Sequence, residues 1–161
     1  MLTTALRRLG LAGPAPATRP EAPAGPAPYA AGESTTAAQA NVLVVDDDPD
    51  IRELIAVKLR RAGYAAAGAP DGPTALSILR QWPPDLVVLD VMMPGQSGIE
   101  VCREIRQHPP TAGVPVILLT ARTSAAFAYA GVATGADRHM LKPFSPRELV
   151  QEVADLLDRA A

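Results

Sequence analysis

The sequence predicts a doubly wound α/β domain built on a five-stranded parallel sheet. Short apolar runs rich in valine, Val42 to Val45 and Leu86 to Leu89 among them, read as strands buried on both faces, as parallel strands are. Segments with helical periodicity stand between them, opened by capping residues and closed by glycine or proline. Five such strand and helix pairs fit between residues 41 and 161, which is the pattern of a parallel sheet covered by helices on both faces.

The first strand, Val42 to Val45, runs into three carboxylates, Asp46, Asp47 and Asp48. Pro49 fits the first position of a helix capped by Asp48, and Ile51, Leu54, Ile55 and Leu59 repeat on one face up to Gly63. Tyr64 to Gly68 is a weaker second strand. Asp71 caps a second helix that turns Ala75, Leu76 and Leu79 inward and stops at Pro83 and Pro84. Leu86 to Leu89 leads to a carboxylate at Asp90, and Pro94, Gly95 and Gly98 close the loop behind it. A third helix, Gly98 to Gln107, is predicted to turn Ile99, Cys102 and Ile105 inward. Val114 to Leu119 is the fourth strand, with Pro115 tolerated at its start, and it ends at Thr120. Ser124 to Gly135 reads as an alanine-rich helix and Arg138 to Leu141 as a short strand reaching Lys142. The last helix opens with Ser145, Pro146 and Glu148, a serine cap with glutamate three residues on, and carries Leu149, Val153, Leu156 and Leu157 as its stripe.

With 161 residues and 48% hydrophobic content the chain can bury one good core, so one domain and an appendage are expected. The appendage is residues 1–40. Alternating Pro, Ala and Gly between Pro14 and Pro28 cannot bury enough apolar area to offset ordering entropy, and a disordered or polyproline-like tail is predicted. Leu2, Leu6 and Leu9 share a helical face beside Arg7 and Arg8, but ten residues are marginal as an isolated helix, and a start assigned too far upstream gives the same pattern. A net charge of -2 gives no electrostatic case for nucleic acid. The single cysteine, Cys102, excludes a disulfide framework and reads as a small buried hydrophobe. No run approaches the ~18 apolar residues of a membrane span, and the N-terminal segment is too short for a secretory signal, so a reducing cytoplasm is expected.

A parallel sheet brings all strand carboxyl ends to one edge, and these ends carry Asp46 and Asp47, Asp90, Thr120 and Lys142. Clustered carboxylates raise one another's pKa unless a cation is present, and an oxygen-rich site with room for waters suits Mg²⁺. The Lys142 ammonium and Thr120 hydroxyl then supply charge and a donor for an anion, most simply a phosphoryl group on Asp90.

The stretches VLVVDDDPDIREL, LVVLDVMMPGQSG, VILLTAR and MLKPF resemble, in that order, the receiver domain of bacterial two-component response regulators, of the stand-alone, chemotaxis-regulator-like kind. The resemblance covers residues 41–161. It implies a flavodoxin-like fold of strand order 2-1-3-4-5 and a cis peptide before Pro143. It also implies Asp90 as phosphoacceptor, Asp47 as direct Mg²⁺ ligand with Asp46 as its water-mediated partner, and the Met92 backbone carbonyl as a further ligand. Thr120 and Lys142 match the residues that contact the phosphoryl group. The implied protein is a regulator rather than an enzyme, its phosphoryl donor a sensor histidine kinase or a histidine phosphotransfer protein.

His139 stands where the family often has an aromatic switch residue, and its charge would add pH dependence. Met92 and Arg122 fall where the family tunes phosphoryl lifetime. Nothing follows the last helix, so output is expected through contacts with a downstream protein or a phosphorylation-linked homodimer, without nucleic acid. A haloacid-dehalogenase-like phosphatase would place its nucleophile at Asp46 and a second acid at Asp48, but Asp50 departs from that motif. A flavin protein would want a Ser/Thr/Gly phosphate loop where DDDPD stands, and a pseudo-receiver scaffold would not need the full acid, Thr and Lys set. Between Thr123 and Gly135 no residue is charged. Tyr129, with Ala125 and Val132, is predicted inward, and Phe127, with Ser124, Gly131 and Thr134, outward as part of a partner surface.

Overall fold

A computed structural model describes residues 39–121 and 134–161. The elements run β1 (Asn41–Val45), α1 (Pro49–Arg61), β2 (Ala65–Ala69), α2 (Gly72–Gln81), β3 (Leu86–Asp90), α3 (Gly98–Gln107), β4 (Val116–Ala121), β5 (Arg138–Lys142) and a C-terminal helix, α4 (Pro146–Ala160). All five strands are parallel, in the order β2-β1-β3-β4-β5. This is the doubly wound, flavodoxin-like arrangement expected from the sequence.

Caps written into the sequence set most helix starts. Asp48 Oδ1 accepts from the amides of Asp50 and Ile51, Asp71 from that of Thr74, and Ser97 and Ser145 each form a capping box with the glutamate three residues on. Each helix then presents one apolar stripe. Ile55, Ala56 and Leu59 of α1 pack with Leu149, Val153 and Leu156 of α4 against Val42, Val44, Leu86, Val88, Ile117 and Leu119. The alternate strand residues, Leu43, Val45, Val87, Leu89, Val116 and Leu118, meet α2 and α3 on the other face. A strand covered on both faces is apolar at successive positions, hence the unbroken runs.

Several sequence expectations shift. Leu54 is 48% exposed, because it lies about 100° around α1 from Ile55 and falls outside the stripe held between sheet and α4. In α3 the buried set is Val101, Cys102 and Ile105, while Ile99 is only partly buried against that core. Leu157 is likewise only partly buried. β2 begins at Ala65 rather than Tyr64, whose amide still bonds back to Leu59 O at 3.1 Å. β4 begins at Val116, past Pro115, and extends through Thr120 to Ala121; β5 includes Lys142. Residues 134–136 are loop rather than the end of a helix, and Gly135 has φ of 80°, a left-handed conformation that suits glycine. Thr134, expected on an outward face, is buried, with its hydroxyl accepting from the Ala136 amide. The peptide before Pro143 is cis, as the resemblance implied. The predicted tail, the helix from Ser124, Arg122 and the Phe127 and Tyr129 faces lie outside the described residues. Among the described residues no helix is long and apolar enough to cross a membrane.

Candidate functional site

The strand order reverses between β1 and β3, and in open α/β sheets ligands bind outside the carboxyl ends at that point. Val45 pairs with Leu89, so Asp46 and Asp90 stand at the same level on either side of it. Leu119 is level with Asp90, and Thr120 and Lys142 follow on β4 and β5. All the sequence-predicted acids, the threonine and the lysine therefore share one edge.

Their environments differ. Asp46, Asp90 and Thr120 are 1%, 3% and 2% exposed, whereas Asp47 is exposed. One ligand oxygen from each of Asp46, Asp47 and Asp90 lies within 4.8 Å of the others, the one such cluster found among the described residues. Lys142 Nζ is 3.1 Å from Asp46 Oδ2 and 3.1 Å from Asp90 Oδ1, so one ammonium bridges the two buried carboxylates. Burial raises the Asp90 carboxyl above the usual carboxylate range; Lys142 opposes this and Asp46 adds to it. Burial alone would lower the Lys142 pKa, but the Asp90 and Asp46 charges outweigh it and hold the ammonium protonated above its ordinary range. Three carboxylates facing one ammonium leave two negative charges, which one divalent cation would balance. The all-oxygen donor set, one member open to solvent, fits Mg²⁺.

Local geometry holds these groups in place. Asp46 Oδ1 accepts from the Asp48 amide at 2.9 Å, folding the acidic run back before Asp48 caps α1. Asp48 Oδ1 is thus engaged as the cap of α1. The Met92 amide lies 3.4 Å from Asp90 Oδ1, and its side chain is 62% exposed. Thr120 Oγ1 donates to Ala121 O over a long 3.3 Å. His139 is exposed, with Nε2 3.2 Å from Thr134 Oγ1. Cys102 is buried, and burial pushes its thiol pKa up, as a packing residue requires.

Gly98 matters more than its place in a turn announced. The first turn of α3 abuts the end of β3, with the Gly98 amide bonded to Val91 O at 3.0 Å, and a Cβ at Gly98 would overlap the Asp90 carbonyl oxygen. Gly98→Ala must therefore push α3 off β3. A loss of about 1–3 kcal/mol by denaturant melting is expected, and an unchanged midpoint would show that the close approach is not needed.

These residues and their setting are those of a doubly wound α/β domain with an acidic, lysine-bridged site at the switch edge of its parallel sheet. The chain belongs to the response regulator receiver domain family, whose match spans residues 42–154. It is 45% identical over 118 residues to the DNA-binding response regulator MtrA of Mycolicibacterium smegmatis, covering 73% of this chain and 50% of that protein. It is 44% identical over 123 residues to the transcriptional regulatory protein ResD of Bacillus subtilis, covering 76% and 50%. The chain thus spans about half the length of these curated relatives. Among solved structures, a response regulator from Chloroflexus aurantiacus is 38% identical, with a TM-score of 0.71 over 76% of this chain and all of that one. The chemotaxis protein CheY4 of Vibrio cholerae is 34% identical, with a TM-score of 0.68 over 74% and 99%.

Proposed function

We propose that this receiver domain is a phosphorylation-driven signalling switch in which Asp90 accepts a phosphoryl group from a phosphohistidine donor. The observation that carries this reading is the Lys142 ammonium set between buried Asp46 and Asp90, with Asp47 open beside them. An Asp90 carboxylate oxygen bonds to phosphorus as the donor's phosphorus–nitrogen bond breaks, and the leaving imidazole keeps the electron pair and takes up a proton. Asp46, Asp47, Asp90 and the Met92 main-chain carbonyl would hold Mg²⁺, which supplies charge neutralisation for the phosphoryl oxygens. Lys142, already within hydrogen-bond distance of Asp90, pairs with one phosphoryl oxygen. Thr120 exchanges its long bond to Ala121 O for another, and the space it leaves is answered by His139 breaking from Thr134.

The donor is a sensor histidine kinase or a histidine phosphotransfer protein, and the setting is the cytoplasm. The protein works as a regulator, with autocatalytic phosphotransfer and dephosphorylation as its only chemistry. Output runs through contacts with a downstream protein or a second copy. Intact-mass measurement under acetyl phosphate tests the reading: one phosphoryl adduct is expected with Mg²⁺ and none in EDTA. No adduct under either condition would leave a scaffold that resembles a receiver without being phosphorylated.

The domain proper is proposed to begin at about residue 41, with residues 1–40 an appendage. In support, Gln39 bonds Gly63 O at 2.7 Å and the Asn41 amide bonds Asp85 Oδ2 at 2.7 Å, which ties this stretch to the domain. A chain starting at Gln39 is expected to melt and label as the full chain does. Failure of that shortened chain to fold would place part of the core upstream.

A further inference from the structure

Asp46 lies one residue beyond β1, where the ladder to β3 has ended, and it is 1% exposed. A main-chain carbonyl so buried needs a partner other than water. It finds one in Arg52, one turn into α1, whose Nη1 donates to Asp46 O at 2.6 Å. The Asp46 amide is tied to Ala69 O at 3.2 Å, so the residue is held through both its amide and its carbonyl. Its carboxylate then has Oδ1 on the Asp48 amide and Oδ2 on Lys142. Arg52 itself is seated by β2: its stem lies over Gly68, where a Cβ would sit 3.0 Å from Cδ and 3.2 Å from Cγ. The φ of Gly68 is ordinary, so its missing side chain is what makes room for the arginine.

We propose that Arg52 is a positioning residue for the acidic cluster: its guanidinium fixes the Asp46 main chain and so sets the carboxylates that hold the divalent cation. This rests on the Mg²⁺ reading above and extends it to a residue that touches neither metal nor phosphoryl group. The proposal makes a prediction of sign. A cation beside a metal site repels the metal, so if Arg52 acted by charge alone its removal would tighten Mg²⁺ binding. If it acts by fixing the ligand-bearing backbone, removal weakens binding, as loss of the groups that orient metal ligands commonly does by about 10–100-fold.

The test is calorimetric Mg²⁺ titration of the full chain and of Arg52→Met, alongside melting in EDTA. A dissociation constant raised about tenfold is expected in a variant that still melts cooperatively. Equal or tighter binding would overturn the proposal. Should Arg52→Met not fold, Gly68→Val gives the reading, because it removes no side-chain hydrogen bond or charge and its branched side chain occupies the place of the Arg52 stem, which a lone Cβ at 3.0 Å would barely shift. Weaker Mg²⁺ binding by Gly68→Val supports the proposal, and unchanged binding refutes it. Absence of Mg²⁺ binding by the unaltered chain would instead retire the metal-site reading itself.

Discussion

Asp90→Asn is expected to abolish phosphoryl labelling under acetyl phosphate and, in EDTA, to make the domain more stable. The first effect follows from removing the only carboxylate at the end of β3, since an amide is no nucleophile for phosphorus. The second follows from the site's charge. Burial and Asp46 hold the Asp90 carboxyl above its ordinary pKa despite Lys142, so its ionised form is disfavoured by folding. A carboxyl whose folded pKa is raised contributes most below its unfolded pKa, and that stability is lost as pH rises through the folded value. At neutral pH the ionised carboxylate is therefore a cost, and replacing it should recover on the order of 1 kcal/mol. The fall in metal-free stability as pH rises from the unfolded carboxyl range through Asp90's raised one should flatten in the variant. Labelling of Asp90→Asn equal to that of the unaltered chain would place the acceptor elsewhere. A lower melting temperature in EDTA would mean that Asp90 is held mainly by its pairing with Lys142.

Lys142→Met should have the opposite effect on the metal-free domain. The ammonium is 3.1 Å from both Asp46 and Asp90, and the lysine side chain is 22% exposed against 1% and 4% for its partners. Its removal leaves two buried carboxylates facing each other, and breaking a buried pair in this way costs about 3 kcal/mol. The same change removes a positive charge from beside the proposed metal ligands, so Mg²⁺ should bind the variant more tightly and restore much of the loss. Magnesium at about 100 times its Kd adds about 2.7 kcal/mol. Melting in EDTA and with saturating Mg²⁺ checks both halves. A variant as stable as the parent without metal would show that the bridge contributes little, and one that Mg²⁺ fails to rescue would show that the acids do not act together as a cation site.

Much of this architecture is carried by short-range chemistry that can be read along the chain. Asp48, Asp71 and Ser145 cap the helices they precede, because capping needs only a side-chain oxygen two or three residues ahead of free amides. The strand runs are continuous because parallel strands bury both faces, and parallel connection alone sends Asp46, Asp90, Thr120 and Lys142 to one edge. What the chain order does not show is which of these groups water reaches. Asp46 and Asp47 are neighbours of identical chemistry, yet one is sealed under the β5 lysine and the other open, since burial depends on elements packed from elsewhere in the chain. The same holds for Leu54, which has the right period for the core and lies outside it, and for Val101, which the predicted stripe passed over. Arg52 reaches the Asp46 carbonyl with its stem laid closely over Gly68, on a different strand. The elements, their caps and the edge at which the acids gather are legible along the chain, because periodicity and local hydrogen bonds belong to neighbouring residues. How those acids are paired, shielded from water and held is not legible there, because desolvation and pairing across as many as 96 residues of chain exist only once the sheet has closed.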